Sequence, residues 1–361
     1  MNKVFQWIRL FIIILIPCIC LIAVNYIGDS ANCFHMHANN QVAESILKGN
    51  TTYILGSPNG RYIKKTVIEN MPKEIDTIVI GPSLSLCINK DNAGTNSFYN
   101  LSVEAANYHD ILASFALLEI NKIKYNRVIL CADCDFYNMG RTALPQSRVF
   151  YPYADYMLSV IKGKTLINPE KQFKENLIKD KKHNLRQLFS VQYFQESIKT
   201  ILQLIREKGN RVGLVTKENA LRHFYFEDDA SWVYEGSFID RTEQFVKNDC
   251  INYTWDVFCA PDEHLEKSFK ETFILLMNYF HQKNISVDIF FSPLAPTLYD
   301  SFDNNYRPLL HEAEVFINEY AQNHDIKIVG SYCPYDYGFT DADYYDARHI
   351  RREKLSVFDF R

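Results

Sequence analysis

Apolar positions in this chain fall into short, mostly apolar runs separated by longer stretches of helical spacing. Asp76-Thr-Ile-Val-Ile-Gly81, Arg127-Val-Ile-Leu-Cys-Ala132, Ser286-Val-Asp-Ile-Phe-Phe291 and Ile326-Lys-Ile-Val329 are such runs, and Phe98 to Val103 is a weaker one. Apolar residues that do not alternate with polar ones read as strands buried on both faces, the habit of parallel sheets. Between them, Glu104 to Lys122 places apolar residues near 105, 108, 112, 115, 116 and 118, which predicts a helix. Leu265 to Lys283 and Leu309 to His324 predict two more, each leading into a strand. Strands joined by helices of this length imply right-handed crossovers. The expected fold is therefore a three-layer α/β sandwich around a parallel sheet of about five strands.

Two regions depart from the alternation. Residues 41–48 look helical and Asn50 to Asn59 looks like a turn with a short strand. From about 136 to 262 the pattern gives helices at 153–162 and 193–208, a charged segment at 170–185 and a possible strand from Arg211 to Thr216. This reads as a large insertion capping one end of the sheet.

At the N-terminus, Leu10 to Ile27 is apolar enough for a transmembrane helix, which needs about 17 to 25 residues. Lys3 and Arg9 precede it, Asp29 follows, and no Lys or Arg recurs until Lys48. The positive-inside rule then keeps the N-terminus cytoplasmic. Residues 1–34 are read as an uncleaved anchor of the cytoplasmic membrane, single-pass, and 35–361 as an extracytoplasmic domain. A cleaved signal peptide is the competing reading, with Ser30 and Ala31 as its small residues.

Composition narrows the classes further. With 47% hydrophobic and 23% charged residues the chain is no disordered polymer. A net charge of -4 argues against non-specific nucleic-acid binding, which relies on basic side chains. The cysteines are nine, and Cys250 with Cys259 is a plausible local bridge. Cys131 and Cys134 have CxxC spacing, but no second CxxC completes a zinc site, so buried apolar roles are expected.

Chemistry is expected at the carboxyl ends of the strands, where open α/β sheets bind ligands. The first strand ends in Gly81-Pro-Ser83-Leu84, and a serine at such a turn can expose its hydroxyl beside backbone N–H groups. After the last strand comes Asp346-Ala-Arg-His349, an orienting carboxylate and a base at close spacing. Taken singly, Ser83 reads as a helix cap and Asp346 as a cap with His349 solvated. Arg348, Arg351, Arg352 and Lys354 read as a solvated helix face.

Together the two motifs resemble the SGNH (GDSL-like) hydrolases at four places. Ile78-Val-Ile-Gly81-Pro-Ser83-Leu84 is similar to the nucleophile block. Tyr99-Asn100-Leu-Ser-Val-Glu-Ala105 is similar to the second block, with Ala105 where a glycine is common. Val128-Ile-Leu-Cys131-Ala-Asp133 is similar to the third, with Asp133 in place of the usual oxyanion-hole asparagine. Asp346-Ala-Arg-His349 is similar to the last. The anchor makes the chain look most like the membrane-bound, DltD-like branch. The resemblance implies an esterase or acyltransferase acting on acyl groups of a cell-envelope polysaccharide or polymer. Its triad would be Ser83, His349 and Asp346, its oxyanion hole Ser83, Ala105 and Asp133. It implies no cofactor and no metal. Its partners would be the membrane, the acylated polymer and envelope-assembly proteins. An ionised Asp133 would repel an oxyanion and a protonated one would donate to it; the residues leave this open.

Two other classes compete. Asp133-Cys-Asp135 reads as D-x-D after an apolar strand, the pair with which glycosyltransferases hold a divalent cation. A non-catalytic envelope scaffold needs neither motif.

Overall fold

A computed structural model describes residues 3–137, 145–254, 264–301 and 308–361, without the side chains of 3–6, 8, 10, 12, 14, 145 and 146. Its strands are β1 (Thr52–Ile54), β2 (Glu74–Ile80), β3 (Phe98–Asn100), β4 (Lys124–Ala132), β5 (Val212–Leu214), β6 (Tyr225–Phe226), β7 (Trp232–Val233), β8 (Ser286–Phe291) and β9 (Lys327–Gly330). Five of them form one sheet in the order β3-β2-β4-β8-β9, every pair parallel. Helices flank this sheet, so the molecule is an α/β fold around a central parallel sheet, as the apolar runs predict.

The order matters for function. From β2 the chain steps outward to β3, then crosses back to β4 on the other side. The gap between the carboxyl ends of β2 and β4 is therefore the topological switch point, where such sheets leave a crevice. The pairing of Ile80 with Leu130 sets the register there. The strands are buried because both faces are covered: Ile78, Val79, Val128, Ile129, Leu130, Ile289 and Phe290 have essentially no exposed surface.

The flanking helices start where their caps dictate. The helix after β3 is Tyr108–Ile120, shorter at its start than the apolar spacing suggests. Asn107 accepts from the N–H groups of His109 (2.9 Å) and Asp110 (3.1 Å), and Asp110 accepts in return from Asn107 N–H at 3.2 Å. That capping box fixes the first turn. Helices Lys267–Gln282 and Pro308–Gln322 precede β8 and β9. Phe115 meets Phe280 edge-on at 4.9 Å between ring centres.

A second, antiparallel sheet runs β5-β1-β6-β7. It ties the segment before β2 to the stretch that breaks the α/β alternation. That stretch also holds helices Pro145–Ile161, Glu170–Asn184 and Val191–Arg206. Strands β6 and β7 are too short for any periodicity to reveal.

The N-terminal helix spans Lys3–Gly28. Among the described residues no helix is long and apolar enough to cross a membrane. Trp7, Phe11, Ile13, Ile16 and Ile19 are each more than half exposed. The end of this helix is seated firmly. Asn25 Nδ2 reaches the carbonyls of Gln187, Leu188 and Ser190 at 2.9–3.0 Å. The Asp29 carboxylate accepts from the N–H groups of Cys33, Phe34 and His35 and from Tyr193 Oη at 2.6 Å. A Cβ on Gly28 would lie 2.4 Å from the Ser197 carbonyl, so only glycine permits this approach.

Cys131 and Cys134 are buried. Cys250 has a buried free thiol, and its suggested partner Cys259 lies outside the described residues.

Candidate active site

Three separated segments meet at the switch point. The first follows β2. Gly81 packs so closely on β4 that a Cβ would lie 2.5 Å from Cys131 Cβ and 2.6 Å from Ser85 Oγ. Ser83 then opens a 3-10 turn, Ser83–Ser85, closed by Ser85 N–H donating to the Pro82 carbonyl at 3.1 Å. Buried Asn100, at the end of β3, donates from Nδ2 to the carbonyls of Ser85 (2.7 Å), Leu86 (3.1 Å) and Ile88 (2.8 Å). The strand ends at Asn100, although Leu101 N–H still donates to the Val79 carbonyl at 2.7 Å and Val103 N–H to the Gly81 carbonyl at 3.0 Å.

The third segment, Asp346–His349, is a tight turn and not a helix, closed by a bridge between Tyr344 and Ile350. Asp346 Oδ1 accepts from the N–H groups of Arg348 (3.0 Å) and His349 (2.9 Å). The same carboxylate meets His349 Nδ1 at 2.8 and 2.9 Å, and His349 Nε2 lies 2.8 Å from Ser83 Oγ. Burial opposes ionisation of Asp346. The adjoining His349 and those two backbone N–H groups outweigh it and hold the carboxyl well below its usual range. With Nδ1 facing a carboxylate, the network assigns the proton to Nδ1 and leaves Nε2 to accept from the serine. Ser83, His349 and Asp346 thus stand in one hydrogen-bonded line.

The second segment supplies Ala105. Its φ of 44° is left-handed, the conformation that explains why glycine suits this position. Arg61 holds it there, donating from Nη2 to the Ala105 carbonyl at 3.2 Å while Nε and Nη2 bind buried Asp110 at 2.8 and 2.6 Å. Among the described residues, neither Ser83 N–H nor Ala105 N–H donates to another protein group. Both residues line one cavity of about 600 Å³.

Asp133 departs from the sequence expectation. Its side chain and that of Arg348 form a buried ion pair, 4% and 9% exposed. The guanidinium donates to this carboxylate in a charge-assisted pair. Asp133, expected in the oxyanion hole, lines the cavity with its carboxylate on this guanidinium. Arg348 also donates from Nη1 to Tyr253 Oη at 3.2 Å. Its basic neighbours are likewise no solvated face. Arg351 donates to the carbonyls of Ile239 (2.7 Å), Arg241 (2.5 Å) and Ala342 (2.8 Å), and Arg352 pairs with Glu227.

Pro82, Leu86, Trp232, Tyr234, Phe238 and Tyr253 form an apolar and aromatic wall of the cavity. Glu104, Asp135 and Asp249 line the same cavity. Burial raises the Glu104 carboxyl above its ordinary range despite nearby Arg61 and Lys64. A second hollow, about 650 Å³, lies at the amino ends of β8 and β9 around Ser286 and Ile326, away from the chemistry of the strand ends.

The D-x-D reading fares less well. Asp133 is already occupied by a guanidinium that a cation would have to displace. Among the described residues no cluster of His, Cys, Asp or Glu is arranged to hold a metal ion. His109 stacks on Tyr151 at 4.3 Å between ring centres, and His35 Nδ1 meets Asp29 at 2.9 Å.

The sequence matches no family model and no curated protein.

Proposed function

We propose that this chain is a serine esterase or acyltransferase of the SGNH type. Residues 1–34 anchor it in the cytoplasmic membrane, and it acts outside on acyl esters of a cell-envelope polysaccharide or related polymer. The observation that carries the chemistry is the 2.8 Å contact between His349 Nε2 and Ser83 Oγ, with Nδ1 on Asp346.

The steps follow from that line. Ser83 Oγ attacks the ester carbonyl carbon while its proton passes to His349 Nε2, and the carbonyl electron pair moves onto oxygen. The N–H groups of Ser83 and Ala105 donate to this oxyanion. Collapse restores the carbonyl and expels the alcohol, which takes the proton back from His349. Asp346 orients the imidazole and stabilises its cation throughout. Water or an acceptor hydroxyl then repeats the sequence and frees Ser83. The aromatic wall suits an acyl group or the apolar face of a sugar ring.

The test is covalent labelling with a fluorophosphonate and turnover of a short-chain p-nitrophenyl ester. Ser83→Ala is expected to lose both. His349→Ala is expected to lose most turnover, and the double variant little more, because the residues act as a unit. Ester turnover in Ser83→Ala equal to wild type refutes the proposal.

A further inference from the structure

We infer that Arg348 stabilises the oxyanion in place of the absent amide donor, with Asp133 as the residue that positions it. The inference rests on the Ser83 reading above and assigns a role that the D-x-x-H motif does not contain.

Register brings the groups together. With Ile80 paired to Leu130, Ser83 and Asp133 each stand three residues beyond the pair, level at neighbouring strand ends. Asp133 holds Arg348 Nη2, and Tyr253 Oη accepts from Nη1 at 3.2 Å, so two partners fix the plane of the guanidinium. The next residue along the chain is His349, bonded to Ser83 Oγ. Ser83, Ala105, Asp133, Tyr253, Arg348 and His349 all line the same cavity. A guanidinium held by a carboxylate therefore lines the same crevice as the serine hydroxyl and the Ala105 N–H.

The chemistry favours a working role. Removing an ion pair from water is expensive, and replacing one with apolar residues often leaves a fold as stable or more so. Stability alone gives little reason to bury Asp133 and Arg348 here. Preorganised charge acts most strongly in a water-poor site. A guanidinium also offers several N–H groups in a fixed plane, suited to an oxygen that becomes anionic only during attack.

The experiment measures kcat and KM for a p-nitrophenyl ester on the full-length protein, with fluorophosphonate labelling of Ser83 in parallel. Arg348→Gln is expected to lower kcat by about 10²–10³ with KM changed less than about threefold, as for loss of an oxyanion donor. Asp133→Asn is expected to lower kcat by about tenfold, because it frees the guanidinium. If the position needed only an amide, the same change would raise kcat, which would overturn the inference. Should Arg348→Gln fail to fold, Asp133→Leu with Arg348→Met removes the whole pair and keeps an apolar fill. A folded apolar pair with wild-type kcat overturns the role of Arg348 alone, provided that wild type labels at Ser83. Wild type that does not label at Ser83 overturns the inference together with the reading beneath it.

Discussion

Ala105 offers a direct check on how the site is built. Its φ of 44° places the Cβ against the following carbonyl, a conformation costing about 1–2 kcal/mol for a residue other than glycine. Ala105→Gly removes that strain. Glycine also gives the unfolded chain more freedom, which takes back about 0.4–1 kcal/mol. The methyl is exposed, so no packing is lost. The net expectation is a gain of about 0.5–1 kcal/mol, or roughly 1–2 °C in thermal midpoint for a chain of this size. The N–H of residue 105 should stay in place, because Arg61 still grips its carbonyl at 3.2 Å. Ester turnover by Ala105→Gly should then stay within about twofold of wild type, the N–H being the donor at stake. Ala105→Val should do the reverse and lower the midpoint, since a β-branched side chain tolerates positive φ poorly. The assay is a melt followed by circular dichroism, with turnover on the same samples. A lower midpoint for Ala105→Gly, or an unchanged one for Ala105→Val, refutes the strain argument.

Two further expectations concern charge and topology. Burial lowers the Lys64 ammonium to about 7, while its Nζ donates to the carbonyls of Asn100 (2.6 Å) and Ala230 (2.5 Å). Above that pH the unfolded chain binds the extra proton, so wild-type stability relative to Lys64→Met should rise from pH 7 to 8.5, by at most about 1.4 kcal/mol per unit. Denaturant midpoints measured at both pH values check this, and a constant difference between the two proteins refutes it. If residues 1–34 are an anchor, external protease on spheroplasts should digest the domain beyond about residue 35. Full protection excludes that orientation.

The sheet was legible where side-chain pattern alone decides structure. Ile78–Ile80 and Val128–Ala132 are apolar on both faces, Val287–Phe291 is interrupted only by Asp288, which pairs with Arg127, and each falls inside a strand. Boundaries set by single polar residues were not legible. The strand beginning at Phe98 ends at Asn100, and the next helix starts only where the Asn107 cap, beyond left-handed Ala105, closes its first turn. Of the small antiparallel sheet, β1 and β5 fall in segments that read as short strands, whereas β6 and β7 have two residues each and leave no pattern. Arg348 escaped notice for a different reason. A basic run looks solvated until the fold supplies its counter-charge, and Asp133 lies 215 positions away. Only the odd carboxylate in the third block hinted at it.

The crevice divides into two parts with different origins. Ser83, Ala105 and Asp133 stand at the ends of the parallel sheet or just beyond, and each is fixed by a bond from another element. Val103 N–H donates to the Gly81 carbonyl at 3.0 Å, Arg61 holds Ala105, and Arg348 holds Asp133. The facing wall comes from the stretch between β4 and β8, in Trp232, Tyr234, Phe238 and Tyr253. Trp232 stacks on Phe224 at 5.3 Å and Tyr234 on Phe238 at 4.3 Å, and Tyr234 and Phe238 also meet the His349 ring at 6.2 and 6.3 Å. Rings held this way can be exchanged without disturbing the sheet, whereas a change at Gly81 would drive β2 into Cys131. In the proposed enzyme, then, the sheet edge governs how the ester is cleaved, and the aromatic wall governs which acyl group or sugar is admitted. Substitutions at Tyr234 or Phe238 should alter preference among esters mainly through KM, while those at the sheet edge act on kcat.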